Sequence, residues 1–262
     1  MVESRPDPEL LITGPADANQ AVLCLAGALC TATFYEELLA EPALAQVRLI
    51  SGTLPGHGGT PAPADLSVEG YAAWASTLAR AHGCDVVVGH SLGANVALEM
   101  VASMQFTGPV VLLAPSLSRR DESMFPRILD RTGRILGTVP FSLALKIIGP
   151  AMKGNLPAER HDALVVELRK NEPSVMRQHL RAYLAYLDRH GSVAARLAES
   201  RAPAWVVYGE KYDVGITTDE ASVLNAAETV TTITVPGVGH FIANQDPHRV
   251  AQLVQDALAA TS

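Results

Sequence analysis

The sequence predicts an α/β fold, with a mostly parallel central sheet, helices on both of its faces and one helical insertion. Three observations lead there. Short apolar or β-branched runs alternate with amphipathic stretches along most of the 262 residues. The alternation breaks once, between Ser116 and Ser200. A chain of this length buries roughly 70 to 75% of the surface it exposes when unfolded, enough for one large core.

After the linker-like Arg5-Pro6-Asp7-Pro8, residues Glu9 to Thr13 can add an antiparallel edge strand. The runs Ala21 to Ala26, Val47 to Ile50, Asp85 to Val88, Val110 to Leu113, Ala204 to Tyr208 and Thr231 to Val235 read as buried strands. Between and after them, Phe34 to Ala45, Val68 to Ala81, Leu92 to Met104, Thr218 to Ala226 and Pro247 to Ala260 carry apolar residues at helical spacing. Strands that alternate with helices in this way form a parallel sheet covered on both sides. Within 116–200, five or so helical stretches follow one another. Met124, Phe125, Ile128, Leu129, Ile135 and Leu136 recur at helical spacing there, and Pro140, Pro150, Pro157 and Pro173 mark helix starts or breaks. The chain is thus expected to divide into a core of residues 1–115 and 201–262 and a helical cap of residues 116–200. An insertion at the carboxyl end of a central strand lies where open α/β sheets bind ligands, so it reads as a lid; a decoration with no part in binding is the alternative.

Composition narrows the function classes. With 48% hydrophobic and 18% charged residues the chain is globular, and a net charge of −7 argues against a nucleic-acid partner and for a small-molecule substrate. The apolar run Ala21 to Ala32 is shorter than the ~20 residues that cross a bilayer, so no membrane span is expected. The acidic start Met1-Val2-Glu3-Ser4 lacks the features of a signal peptide, and a cytoplasmic location is the expectation. Cys24, Cys30 and Cys84 lack the paired spacing of a zinc site or a redox pair and read as free, buried thiols.

Gly89-His90-Ser91-Leu92-Gly93 matches G-x-S-x-G, between a predicted strand and a predicted helix. A strand that turns sharply into a helix holds its serine in a strained backbone conformation, and the flanking glycines remove Cβ atoms that would clash. Ser91 then projects from the sheet edge as a nucleophile. The Leu92 N–H lies at a helix N-terminus, where free amides favour an oxyanion. Of the eight histidines, His240 follows the last strand at the same sheet edge and is the candidate base. His57 could approach that edge but reads as a turn residue in Leu54-Pro55-Gly56-His57-Gly58-Gly59, and His90 should point away from Ser91 and be packed. His82, His161, His179, His190 and His248 lie on helices or their ends, where solvent-facing positions are common. The carboxylate that orients the base should follow another strand; Asp213 does so and gives the chain order Ser, Asp, His, with Glu210 and Asp219 as alternatives.

These residues resemble the α/β-hydrolase superfamily over nearly the whole chain outside the insertion. Gly89 to Gly93 looks like its nucleophile elbow, Leu54-Pro55-Gly56-His57-Gly58 like its PGHG turn, Gly209 to Asp213 like its acid loop, and Gly237-Val238-Gly239-His240-Phe241 with Asp246-Pro247 like its histidine loop. The resemblance implies an α/β-hydrolase fold and a serine carboxylesterase-like mechanism through an acyl-enzyme, with neither metal nor organic cofactor. It also implies a second oxyanion donor after the Ala21 to Ala26 strand, the Ala28 N–H or alternatively that of Leu29. Ala26-Gly27 stands where many relatives carry His-Gly. The sequence lacks H-E-x-x-H, and Gly149 to Gly154 is followed by Asn155 rather than the lysine of a P-loop.

Activity is expected to fall as His240 protonates below about pH 6.5, and a rate unchanged down to pH 5 would count against it. Phe125, Leu129, Ile135, Phe141, Leu145, Ile147 and Ile148 either line a site for a small or medium apolar ester or hold the cap together. Arg119, Arg120, Arg127, Arg131, Arg134, Lys146 and Lys153 either attract an anionic substrate or form a solvated face. Thioesterase, amidase, carbon-carbon bond hydrolase and cofactor-free lyase or perhydrolase are alternatives on the same constellation, and a ligand receptor without turnover is the alternative from another class.

Overall fold

A computed structural model describes residues 9–122, 124–152, 156, 158–211 and 216–261. Its centre is a seven-stranded sheet: β1 (Leu10–Thr13), β2 (Ala21–Leu25), β3 (Arg48–Gly52), β4 (Val86–His90), β5 (Val110–Leu113), β6 (Ala204–Gly209) and β7 (Val230–Val235), in the order β1-β3-β2-β4-β5-β6-β7. β1 is antiparallel to β3 and every other pairing is parallel. The carboxyl ends of β2, β4, β6 and β7 therefore face one edge.

The central strands read as unbroken apolar runs because both faces are buried. Leu23, Leu25, Val87 and Leu112 turn to a core shared with α2 (Val68–Ala81) and α3 (Leu92–Ala102). Val22, Cys24, Val88 and Val111 turn to the opposite core, closed by α1 (Glu36–Leu39) and, after β7, by α11 (Pro247–Ala259). Ser67 caps α2 by accepting the Gly70 N–H at 3.0 Å, and Asp246 caps α11 by accepting that of Arg249 at 3.0 Å, with Pro247 in the first turn. The helix expected over Phe34 to Ala45 is broken into a 3-10 turn at Ala32–Tyr35, α1, and a second 3-10 turn at Pro42–Leu44. Pro42 accounts for the break, since it lacks an N–H and its ring collides with the preceding turn of a continuous helix.

Between β5 and β6 the chain forms α4 (Met124–Leu136), α5 (Val139–Met152), α6 (Ala158–Leu168), α7 (Pro173–His190) and α8 (Ala194–Ser200), followed after β6 by α9 (Thr218–Asn225) and after β7 by α10 (Ile242–Gln245). α4, α5 and α7 share a small core of Leu129, Phe141, Ala144, Leu145 and Met176. The block is also rooted in the sheet. Tyr183, Tyr186, Leu187 and Leu197 belong to the α2–α3 core, and Leu164 and Leu168 to the opposite one. Cys24 and Cys30 are buried free thiols, whereas Cys84 is only partly buried. Among the described residues, no helix is long and apolar enough to cross a membrane.

Candidate active site

The turn from β4 into α3 holds Ser91 at φ +52° and ψ −116°, outside the regions an L-residue ordinarily occupies. Such a conformation costs about 1 to 3 kcal/mol and persists only where its surroundings over-determine it. Here the Ser91 N–H donates to the Leu113 carbonyl at 2.8 Å, and the Ser91 carbonyl accepts from the Ala94 and Asn95 amides at 2.9 and 3.1 Å. A Cβ on Gly89 would stand 2.3 Å from the Gly93 carbonyl oxygen, and one on Gly93 would stand 2.1 Å from that of Leu25, so both glycines are sterically required. The Asn95 side chain then grips Ser116, donating to its carbonyl at 2.6 Å and accepting its N–H at 3.2 Å. Leu92 contributes the first amide of α3, a position with no intrahelical acceptor.

Ser91 borders a cavity of about 360 Å³, also lined by Gly27 to Cys30, His90, His240 and Phe241 from the loops at the sheet edge. Gly27 to Cys30 form a turn closed by the Cys30 N–H donating to the Gly27 carbonyl at 3.2 Å, with Leu29 at φ +69°. Two side chains hold this turn. The Leu29 N–H donates to His57 Nδ1 at 2.9 Å, and the Leu29 carbonyl accepts from Asn171 Nδ2 at 2.8 Å. Asn171, between α6 and α7, accepts the Gly58 N–H at 3.0 Å as well, so one side chain joins the helical block to two loops of the sheet edge.

This corrects the reading of His57 as a plain turn residue. It is buried, and its Nε2 lies 3.2 Å from the Tyr71 hydroxyl, which donates to the Pro55 carbonyl at 3.1 Å. Since Nδ1 accepts from Leu29, the His57 proton sits on Nε2 and points to Tyr71. Burial first, and then the neighbouring His179, pull the His57 pKa well below its ordinary value, which keeps Nδ1 an acceptor at neutral pH. The alternative of Leu29 as oxyanion donor fails because its amide is already given to His57. His179 also departs from expectation: it is buried on α7 with its ring 4.8 Å from that of His57, and burial pulls it down to about 4. Nothing in the sequence pointed to Tyr71, Asn171 or His179 in this arrangement. Only the PGHG turn, after the strand next to β2, pointed to His57.

His240 follows β7 and is partly buried at the cavity wall. Its loop is pinned at several points: Gly239 N–H to Gln245 Oε1 at 2.6 Å, Gly237 N–H to Glu210 Oε2 at 2.8 Å, and His90 Nε2 at 2.9 Å from the His240 carbonyl. His90 is packed as expected, stacked on Phe34 at 4.6 Å, and burial together with the adjacent His240 keeps it neutral with its proton on Nε2. Burial pulls His240 itself down to about 4. Burial alone thus moves the acid limb below the expected 6.5, and a carboxylate hydrogen-bonded to the imidazole moves it back up. Asp213 lies outside the described residues. The alternative acids have other places: Glu210 is an exposed staple of the His240 loop, and Asp219 is exposed in the first turn of α9.

The opposite wall comes from the helical block and is apolar throughout: Phe125, Ala144, Ile147, Ile148, Met152, Leu168 and Met176. Of the apolar residues singled out above, Phe125, Ile147 and Ile148 line the cavity; Leu129, Phe141 and Leu145 make the block's own core, and Ile135 is exposed. None of the described basic residues lines it. Arg119 pairs with Asp188, Arg127 donates to the Arg119 carbonyl, Arg134 pairs with Asp130 at 2.9 Å, and Arg131 and Lys146 are exposed. Lys153 lies outside the described residues. An electrostatic lure for an anionic substrate therefore finds no support in the cavity.

A family model described as the alpha/beta hydrolase family matches residues 22–253. Among curated proteins none matches. Solved structures with this fold include a thermophilic esterase from Thermogutta terrifontis, 18% identical over 97% of this chain and 93% of that one, with a TM-score of 0.70. Another is E-2-(acetamidomethylene)succinate hydrolase, 17% identical over 96% of this chain and 95% of that one, with a TM-score of 0.72. A third is the thioesterase domain from the curacin biosynthetic pathway, 18% identical over 94% of each chain, with a TM-score of 0.68. With the sheet order, the strained turn at Ser91 and a family match over most of its length, the chain belongs to the alpha/beta hydrolase family.

Proposed function

We propose that this protein is a serine hydrolase that cleaves an acyl ester of a small or medium, largely apolar substrate. Ser91 is the nucleophile, His240 the base and Asp213 the carboxylate that orients it. As Ser91 Oγ attacks the acyl carbonyl, His240 takes its proton, and the backbone N–H groups of Leu92 and Ala28 receive the developing oxyanion. Collapse of the tetrahedral intermediate breaks the bond to the leaving alcohol, which takes the proton from His240. Water, activated by the same imidazole, then releases the acid and restores Ser91. The helical block acts as the cap that excludes water and holds the apolar part of the substrate.

The observation that carries this reading is the shared cavity: a serine at φ +52° and a histidine from a different strand end line one void whose remaining side chains are almost all apolar. Strain kept at one hydroxyl that borders a cavity is the signature of a functional position. The esterase and thioesterase names of the structural neighbours point to the same acyl-transfer chemistry.

Hydrolysis of p-nitrophenyl esters of graded acyl length tests the proposal. Turnover that rises with acyl length to an optimum and vanishes in Ser91→Ala supports it. Turnover of acyl thioesters alone would move the assignment to a thioesterase, and tight binding of acyl compounds with no turnover would make the protein a receptor.

A further inference from the structure

The helical block exposes apolar surface on the outside as well as toward the cavity. Leu129, Asp130 and Gly133 turn the inner side of α4 to the protein, which leaves Met124, Ile128 and Ile135 exposed by 66%, 53% and 83%. On α5, Phe141, Ala144 and Leu145 pack inward, while Val139, Leu143 and Ile147 are exposed by 64%, 57% and 48%. Most of the exposed large apolar side chains among the described residues lie on this one helical hairpin. Their core-facing partners are already satisfied, so the outward stripes are not a core left open.

Charge selects what covers them. The chain carries a net −7, yet residues 124–152 hold Arg127, Arg131, Arg134 and Lys146 against one acid, Asp130. Asp130 is buried and paired with Arg134 and, at 3.6 Å, with Arg181. On α4 Arg131 and Arg134 lie exposed three residues apart along one side of the apolar stripe, while Arg127 is turned to the Arg119 carbonyl. A helix with an outward apolar stripe bordered by arginines has the chemistry of an interfacial helix on an anionic surface. A second copy of this chain fits poorly, because the contact would bring two faces of the same positive sign together.

We infer that the α4–α5 face docks on a lipid bilayer that carries anionic headgroups. Phe125 and Ile147 belong to the exposed surface and to the cavity wall at once, so docking would bring the mouth of the cavity to the bilayer. Entry of an acyl substrate from that side rests on the hydrolase reading; the docking does not.

Co-sedimentation of the full chain with vesicles of phosphatidylcholine alone, and of equal parts phosphatidylcholine and phosphatidylglycerol, tests it. The expected result is binding to the anionic vesicles that weakens with added salt. It should fall by about tenfold or more in Ile128→Ser/Ile135→Ser and several-fold in Arg131→Glu. Arg80→Glu, an exposed charge on α2, should bind as wild type does, and so should Ser91→Ala, which separates docking from catalysis. Three results would overturn the inference: wild-type protein left in the supernatant, binding indifferent to the Ile128 and Ile135 changes, or a dimer in sedimentation velocity that those changes dissolve.

Discussion

The two walls of the cavity are built on different principles. The sheet-side wall carries the polar groups and is strained and tied down: Ser91 at φ +52°, Leu29 at φ +69°, with His90 in the wall and His57 behind it holding main-chain atoms rather than facing solvent. The helix-side wall offers only apolar side chains, held by ordinary helix packing around Phe141. The difference teaches that chemistry and selection can be assigned to separate parts of one fold. On the proposed reading the strand ends set the reacting groups at fixed places, while the helical block sets the shape and length of what reaches them. Substitutions should therefore separate into those that stop turnover and those that change which substrate is turned over.

Ser91→Ala or His240→Ala should lower kcat by about 10⁴-fold, with little change in KM. A loss of only tenfold, measured as steady-state ester hydrolysis, would remove the distinction between the walls. His57→Ala should come next. It takes the acceptor from the Leu29 N–H and leaves a buried donor unpaired, which costs about 1 to 3 kcal/mol of stability. If the Gly27 to Cys30 turn shifts, kcat falls by up to about 100-fold. Parallel denaturant melts and kinetics check both parts, and His57→Ala activity equal to wild type would show that the turn does not need its tether.

The pH profile sharpens the contrast. A base must be neutral to act; burial lowers the His240 pKa and the proposed Asp213 carboxylate offsets part of that, so the acid limb of kcat/KM should lie at or below about 6.5, with the rate flat above it. His179, also held near 4, stays neutral in the fold while the unfolded chain protonates below about 6.5. Stability is therefore full above 6.5 and drains as pH falls toward 4, by about 3 kcal/mol from this residue at most. Initial rates and melts across pH 4 to 8 distinguish the two, and a rate limb well above 6.5 would contradict the burial of His240. Smallest should be Ile148→Ala in the helix-side wall. It should leave kcat for short acyl esters unchanged while KM for the preferred chain length rises by about tenfold.

The sheet was legible because its strands are buried on both faces and so stand out as runs such as Asp85 to Val88. The edge strand near Glu9 and the five helices between β5 and β6 followed from the same periodicity. That Ser91 and His240 reach one cavity was legible because an elbow and a strand-end loop impose residue types on the sequence. The support behind them was not. Asn171 reads as a turn residue before Glu172-Pro173, and only the fold brings it to Leu29, 142 positions away. Tyr71 and His179 sit at ordinary helical positions, and nothing in their local sequence distinguishes a core residue that bonds or packs against His57 from one that merely fills space. In the helical block, periodicity identified the apolar residues but not which of a helix's faces meets the cavity. Hence Phe125 and Ile148 line it, Phe141 does not, and Ile135 faces outward.

The central claim is that the sheet-side wall holds an activated serine. Labelling with a fluorophosphonate probe, with the modified peptide located by mass spectrometry, tests it most directly in wild type, Ser91→Ala and His240→Ala. The account predicts rapid modification at Ser91 in wild type, none in Ser91→Ala and strongly slowed modification in His240→Ala. Labelling at another residue, or at Ser91 with equal speed after His240 is removed, would contradict it.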